Sequence, residues 1–430
     1  MFKSLDGGSN PLQNKVLKDP GLKARVSPNW SNSLQVLLIG RDDHLLWFLP
    51  ALLSRAGFII DVLSSSPLMK SCHFVRDCEI VSKASLINRA AQKCQNGYEW
   101  VIIGDDGMLL EIVQSDLSDE IKLKLLPVLK EENFSHVHSK IGLSNLFSTQ
   151  GIKTPAYRIA TNIDEALVAA EQIGYPVLLK IDASGGGFGV HECQSLADLK
   201  AVNEEVWLKP LLVQKKIKGI DLDLSALYLE GELIHFSYSK MEKVISNQFG
   251  PSSLRSYRSL SCVDEEVFNE LQAIGKALGA HGFTNITCIE AFDGCGRYYV
   301  EADMRANMWL DAPLFFGEDV ANRIACWYLE GKKLQYPVIA SQEHPSVMLI
   351  PCFLRLKFFE LLMNRYHVWK FIPKNNARLI RNLLFEKMKK SISCYNLKNI
   401  VKRFAPKKYH KFLKKVYMSI CSKFEINSKL

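Results

Sequence analysis

Short apolar runs alternate with amphipathic stretches over the first third of the chain. Leu34 to Gly40 (LQVLLIG) is an unbroken apolar run ended by glycine, His44 to Gly57 carries a helical period, and FIIDVLS follows as a second run. A helical stretch from Ser85 to Asn96 then leads into Trp100 to Gly104 (WVIIG) and the acidic pair Asp105 and Asp106. Strands and helices in this order predict a small parallel α/β domain over residues 34–133. The pattern changes after Glu131–Ser135. A helix from Lys140 to Gln150 runs into GIKTPAYRIA, a second helix spans Asp164 to Gly174, and YPVLLKIDASGGGFGVHEC reads as strand, glycine loop and strand. Strands follow at LLVQKKI and at DLDLSALYLEGELIHFSYS, whose EGE is a hairpin signal, then a long helix from Asp264 to Ala280. The hairpin CIEAFDGCGRYYVEADMRANMW closes this mixed α+β domain, residues 134–345.

From Met348 onward, aromatic and aliphatic positions alternate with Lys and Arg, interrupted at Pro373 and Pro406. This predicts a basic amphipathic helical tail over 346–430, with no stretch approaching the roughly 18 apolar residues of a membrane span. Residues 1–33 read as a polar leader without the apolar segment of an export signal.

Charge sharpens this division. The chain carries a net +9, yet residues 351–430 hold 20 Lys and Arg against 3 acidic residues, leaving 34 basic and 42 acidic in residues 1–350. A basic tail on an acidic body points to an anionic surface as its partner, either a membrane face or an acidic protein, with an ordinary helical cap as the alternative. Nucleic acid is the weakest candidate, because no recognised binding module accompanies the basic residues. Eleven cysteines without a C-x-x-C pair, in a chain lacking an export signal, fit reduced thiols and a cytoplasmic setting, with peripheral attachment to the inner membrane face as an extension.

Candidate chemistry gathers in the second domain. Alternation along a strand puts Glu301, Asp303 and Arg305 on one face, and Glu290 can join them across the hairpin, a set suited to Mg²⁺ and phosphate. Lys180 ends an apolar strand just before Gly185, Gly186, Gly187, Phe188 and Gly189, so a cation precedes a loop whose backbone N–H groups can approach oxyanions. No G-x-G-x-x-G follows the first strand, which excludes a dinucleotide site there. Arg41 and His44, at a strand's C-terminal end, are either substrate contacts or a solvated helix start. His136 and His138 read as solvated loop histidines.

A lysine opening a helix (Lys140), a lysine on a strand (Lys180), a glycine loop, the stretch VQKKIKGID and an E…E-x-D-x-R hairpin, in that order, resemble the ATP-grasp superfamily. The resemblance covers about Phe134 to Gly331 and implies an ATP-grasp fold preceded by a Rossmann-like parallel α/β domain. It implies that Lys140 and Lys180 contact phosphates and that Ser184 to Val190 forms a phosphate lid. Gln214, Lys215 and Ile217 then line adenine, and Asp221 binds the ribose hydroxyls. By the same resemblance Glu290, Glu301 and Asp303 hold magnesium, with Thr287 as the alternative at the first of these positions, and Arg305 binds phosphate. Gln214 stands where glutamate is more common and Asp303 where asparagine is. A basic substrate or γ-phosphate contact falls near Arg255, with Lys240 and Arg258 as alternatives.

The implied activity is an ATP- and Mg²⁺-dependent ligase, with Mn²⁺ as a substitute ion, that activates a small carboxylate as an acyl phosphate for attack by an amine. The same resemblance also covers carboxylases, thiol ligases and kinase-like proteins. A third reading is a nucleotide-binding regulatory protein recruited through its basic tail.

Overall fold

The computed structural model describes residues 34–41, 46–245, 249–331, 347–372 and 376–392. The polar leader, His44 and most of the basic tail's C-terminal half lie outside the described residues. Three sheets organise the chain.

The first sheet has the order β3-β2-β1-β4, all parallel, from β1 (Gln35–Gly40), β2 (Ile59–Ser64), β3 (Val75–Ile80) and β4 (Trp100–Ile103). Its strands read as unbroken apolar runs because both faces are covered. Leu37 and Ile39 enter one core while Val36 and Leu38 enter another on the opposite face. Helices α1 (Leu49–Arg55), α2 (Leu86–Lys93), α3 (Asp106–Gln114) and α4 (Asp119–Leu125) supply that cover. β3, VRDCEI, is half exposed and polar, and its weak apolar signal hides it in the sequence.

A four-stranded antiparallel sheet follows, ordered β5-β8-β6-β7, from β5 (Tyr157–Ala160), β6 (Val177–Ile181), β7 (Val190–Cys193) and β8 (Leu211–Lys215). Helix α5 (Lys140–Thr149) leads into it, α6 (Ile163–Ile173) packs on β5 and β8, and α7 (Leu196–Lys200) packs beside β7. Ala166, Ala169 and Ala170 of α6 meet Val177, Leu179 and Val213 in a compact core.

The third sheet is six-stranded and antiparallel, ordered β13-β12-β9-β10-β11-β14: β9 (Gly219–Leu229), β10 (Glu232–Val244), β11 (Ser252–Arg258), β12 (Gly282–Ala291), β13 (Arg297–Asp303) and β14 (Val347–Pro351). Helix α8 (Glu265–Leu278) lies against one face, where a Cβ at Gly275 would come within 2.3 Å of the Tyr228 ring; only glycine permits so close an approach. The Tyr228 hydroxyl donates to the Leu271 carbonyl at 2.9 Å. Helix α9 (Val320–Glu330) packs against β10 and α1.

The expected basic tail begins inside this sheet. β14 pairs with β11 from Val347 to Pro351. The chain beyond it, with α10 (Phe358–Leu362) and α11 (Ala377–Ile392), buries Phe353, Leu356, Leu361, Val368, Leu379, Ile380 and Leu383 in the same core as Val36 and Leu38. Of the basic tail expected from residue 346, the described part up to residue 392 thus packs on the body, the arrangement of a helical cap. Those apolar positions are spent against the body and are not available to a membrane. Among the described residues no helix is long and apolar enough to cross a membrane.

Candidate functional site

The small sheet contributes two lysines. Lys180, next to last in β6, is 8% exposed. Burial pushes its ammonium down to about 8, Glu301 pulls it back up, and Lys140 pushes it further down. Lys140 opens α5, whose first turn is fixed by Ser139 accepting from the Gly142 N–H at 2.9 Å and by Asp182 accepting from the Ile141 N–H at 3.1 Å. Its ammonium donates to the Ser184 carbonyl and to Ser184 Oγ at 3.3 Å, which ties the start of the glycine loop to α5.

Within that loop Gly186, Gly187 and Gly189 have φ of +63°, +77° and +78°. A Cβ on Gly187 would sit 2.2 Å from the Phe249 carbonyl oxygen, so this glycine lets the loop close onto the turn before β11. Phe188, at the tip, is largely exposed.

Gln214 lies on β8 and is 1% exposed, and its Nε2 has no hydrogen-bond partner among the described residues. An orphaned buried donor of this kind calls for a ligand acceptor. The Lys215 ammonium donates to the carbonyls of Gly174 (2.8 Å) and Tyr175 (3.0 Å), so its side chain holds the entry to β6 rather than facing a ligand. Ile217 is half-buried just after β8, and Asp221 is exposed near the start of β9.

Cross-strand register decides which acids of the large sheet share a face. Glu301, Thr287, Asp223, Ser239 and Tyr257 are successive partners across β13, β12, β9, β10 and β11, and Asp303, Asn285, Ser225 and Ser237 form a parallel row two positions along. Both rows lie opposite α8, toward Lys180 and Lys140. Glu290 is three positions from Thr287 along β12 and therefore points to the α8 face, where it pairs with Arg297 at 3.9 Å. That corrects the expected role of Glu290. A register shift between Thr287 and Cys288 moves the hairpin out of simple alternation, and Thr287 is the residue directly across from Glu301. No three of His, Cys, Asp and Glu gather at metal-holding geometry among the described residues. The Glu301 and Asp303 carboxylates, with Thr287 and Asn285 oxygens beside them, nonetheless fit Mg²⁺, which retains waters and takes its other ligands from phosphates.

Arg305 is held by two acids. It meets Asp303 at 2.8 Å and, through Nε, Asp106 at 2.7 Å. Asp106 begins α3, so the first sheet's unit reaches the site by a residue whose role the sequence did not reveal. Burial drives the Asp303 carboxyl well above its usual range; Arg305 opposes this, while Asp106 and Glu301 reinforce it. Arg41 instead pairs with Asp105 (3.6 Å) and Glu111 (2.8 Å).

The expected solvated histidines are corrected as well. His136 is buried with Nε2 3.0 Å from the Leu278 carbonyl, and burial lowers it to about 4. His138 sits at φ +55° near Asp106, Lys140 and Arg305, lowered chiefly by burial. Of the basic residues around the Gly-Pro turn, Arg255 is 3% exposed and pairs with Asp223 at 2.5 Å. Lys240 pairs with Glu242 at 3.6 Å, and Arg258 lies over the Tyr238 ring.

Residues 140–210 match the family model for the carbamoyl-phosphate synthase L chain, ATP binding domain. The carbamoyl phosphate synthase large chain of Beutenbergia cavernae is 26% identical over 175 residues, covering 36% of this chain and 15% of that protein. The chain thus spans under a sixth of that relative's length. Among solved structures, the biotin carboxylase domain of Hydrogenobacter thermophilus 2-oxoglutarate carboxylase, bound to MgADP, superposes with a TM-score of 0.58 at 17% identity, covering 74% of each chain. An N5-carboxyaminoimidazole ribonucleotide synthetase with ADP gives a TM-score of 0.58 at 12% identity, covering 77% of this chain and 85% of its own. The chain has the ATP-grasp fold of these neighbours, and residues 140–210 are similar to an ATP-binding domain.

Proposed function

We propose that this chain is an ATP- and Mg²⁺-dependent ligase that joins a small carboxylate to an amine. One observation carries the reading: cations from three separate parts of the chain, Lys140, Lys180 and Arg305, surround the Glu301 and Asp303 carboxylates. An arrangement with buried charge of both signs suits a metal-bridged triphosphate, which is anionic but brings its own cation.

MgATP, when bound, supplies the phosphoryl group. In this reading Glu301 and Asp303 hold the metal side of the phosphate chain, Lys140 and Lys180 hold its other oxygens, and Gln214 and Asp221 hold base and ribose. A carboxylate oxygen of the substrate attacks the γ-phosphorus and ADP leaves. The amine then attacks the acyl carbon, phosphate departs, and the ammonium proton is lost. Arg305 is placed to balance charge on the transferring group once it is released from Asp303. The loop from Ser184 to Gly189 covers the phosphates and keeps water from the acyl phosphate.

The test is ADP release from MgATP by the full chain across a panel of carboxylates, with and without amines. ADP release that requires both a carboxylate and an amine supports the ligase. Turnover with bicarbonate or a thiol reassigns the chemistry, and tight MgADP binding without turnover points to the regulatory reading.

A further inference from the structure

The segment after β14 keeps some of its large apolar side chains out of the core. Leu361 and Val368 are buried and pin it to the body. Their chain neighbours Leu362, Met363 and Trp369 stand at 62%, 66% and 43% exposure. The turn that follows α10 brings these three together. The Trp369 N–H donates to Asn364 Oδ1 at 3.3 Å, and the His367 N–H donates to the Asn364 carbonyl at 3.0 Å. Asn364 directly follows Met363, so the chain returns Trp369 to the Leu362–Met363 pair. Asn364, Tyr366 and His367 hold φ of +49°, +59° and +53°, a left-handed backbone that residues with side chains adopt at a cost. Three such residues within four positions break the helix and fix the turn.

The charges around this turn have one sign. Glu360, the only acid from Pro351 to Phe385, is buried and is taken by Lys243 at 2.7 Å and Arg365 at 3.4 Å. Arg365 and Lys370 are exposed, as are Arg378 and Arg381 on α11, which packs against α10. Beyond Ile392 the sequence continues with ten Lys and Arg against a single acid, Glu425. We propose that this outer surface of the cap docks on an anionic lipid surface, with Leu362, Met363 and Trp369 as the inserted groups and Arg365, Lys370 and the α11 arginines around them. Trp and aliphatic side chains enter the boundary between headgroups and acyl chains, while the cations meet lipid phosphates. A small apolar insertion and a basic segment are two signals that anchor together where either alone binds marginally. An acidic protein would answer the cations, but it would need a matching pocket for three large apolar groups, which the lipid boundary takes without one. The docking is independent of the chemistry at the nucleotide site.

The experiment sediments the full chain with vesicles of phosphatidylcholine alone and of phosphatidylcholine mixed with phosphatidylglycerol, at low and high salt. The expected result is binding to the mixed vesicles only, weakened by salt. The combined variant Leu362→Ser, Met363→Ser, Trp369→Ser should lower the partition coefficient about 10-fold or more, and Lys370→Glu with Arg378→Glu should do likewise. MgADP affinity should stay within about twofold in both, because none of these residues belongs to the nucleotide site. Lipid brominated in its acyl chains should quench the fluorescence of wild type more than that of Trp369→Phe, which reads insertion at this one residue. Equal partition of the triple variant and wild type overturns the proposal, since the basic chain alone would then carry the attachment. So does a wild-type chain that ignores the mixed vesicles; its retention on polyglutamate would then reassign the surface to an acidic protein. A melting temperature within a few degrees of wild type excludes misfolding; if the triple variant fails this check, Leu362→Ser and Met363→Ser singly, with the quenching of Trp369→Phe, carry the test.

Discussion

Lys180 offers the sharpest test of the proposed site, because its charge is costly until a ligand arrives. Moving a lysine from its ordinary value near 10.5 down to about 8 corresponds to about 3 kcal/mol of disfavoured charge. The unfolded chain binds this proton up to about pH 10.5, whereas the folded chain releases it near pH 8, so folding is opposed in full below pH 8. The penalty fades as pH rises from 8 toward 10.5. Lys180→Met keeps much of the volume and removes the charge. Without nucleotide, the variant should be more stable than wild type at pH 7 by up to about 3 kcal/mol, or roughly 3–5 °C in melting temperature. The gap should shrink between pH 8 and 10. Nucleotide phosphates would restore a counter-charge, so MgADP binding to wild type near pH 8.5 should take up a proton, and binding to the variant should be weak or absent. Thermal melts at four pH values, with calorimetry in two buffers of different ionisation enthalpy, measure both effects. A variant less stable than wild type at pH 7, or a gap independent of pH, refutes the reasoning.

The remaining expectations concern the acids and the downstream segment. Glu301→Gln should raise the Mg²⁺ concentration for half-maximal activity by about 10-fold or more, whereas Glu290→Gln should leave it within twofold; equal effects would return Glu290 to the site. Asp303→Asn should preserve or increase stability without nucleotide, since it removes a buried carboxyl that is already pushed toward its neutral form, and a clear fall in melting temperature would contradict this. Asp106→Asn should impair turnover more than MgADP binding by loosening Arg305, as separate measurements of the two would show. Truncation after Ile392 should leave a folded protein, while truncation after Gly331 should not, because the latter removes β14 and the buried residues beyond it; proteolysis and melting curves distinguish them.

Much of the site was legible where chemistry is local in sequence. Lys140 at a helix start, Lys180 before its glycine loop and the E-x-D-x-R strand are short-range patterns, and alternation alone places Glu301 and Asp303 together. What escaped depends on register or on distance along the chain. A carboxylate makes Glu290 a better metal ligand than Thr287 on chemistry alone, but the shift at Thr287/Cys288 reverses which residue faces Glu301. Asp106 reaches Arg305 across 199 positions, and no periodicity encodes that meeting. Val347–Pro351 reads as the start of an amphipathic tail because an edge strand and an amphipathic helix can show the same mixed pattern over five residues. His136 looks like a loop histidine until the α8 end closes over it.

The position of β14 also constrains how the chain is made. The sheet carrying the proposed metal face has β11 as its open edge until Val347–Pro351 is synthesised, 44 residues after β13 ends at Asp303. A nascent chain that paired β9 to β13 before Val347–Pro351 emerged would expose unpaired backbone on β11, next to Arg255. The same late segment covers the apolar surface of the first sheet's unit. Completion of the sheet and covering of the first unit's core therefore coincide, and a chain stopped before Val347 would carry most of the recognisable motifs while lacking the edge strand and that cover.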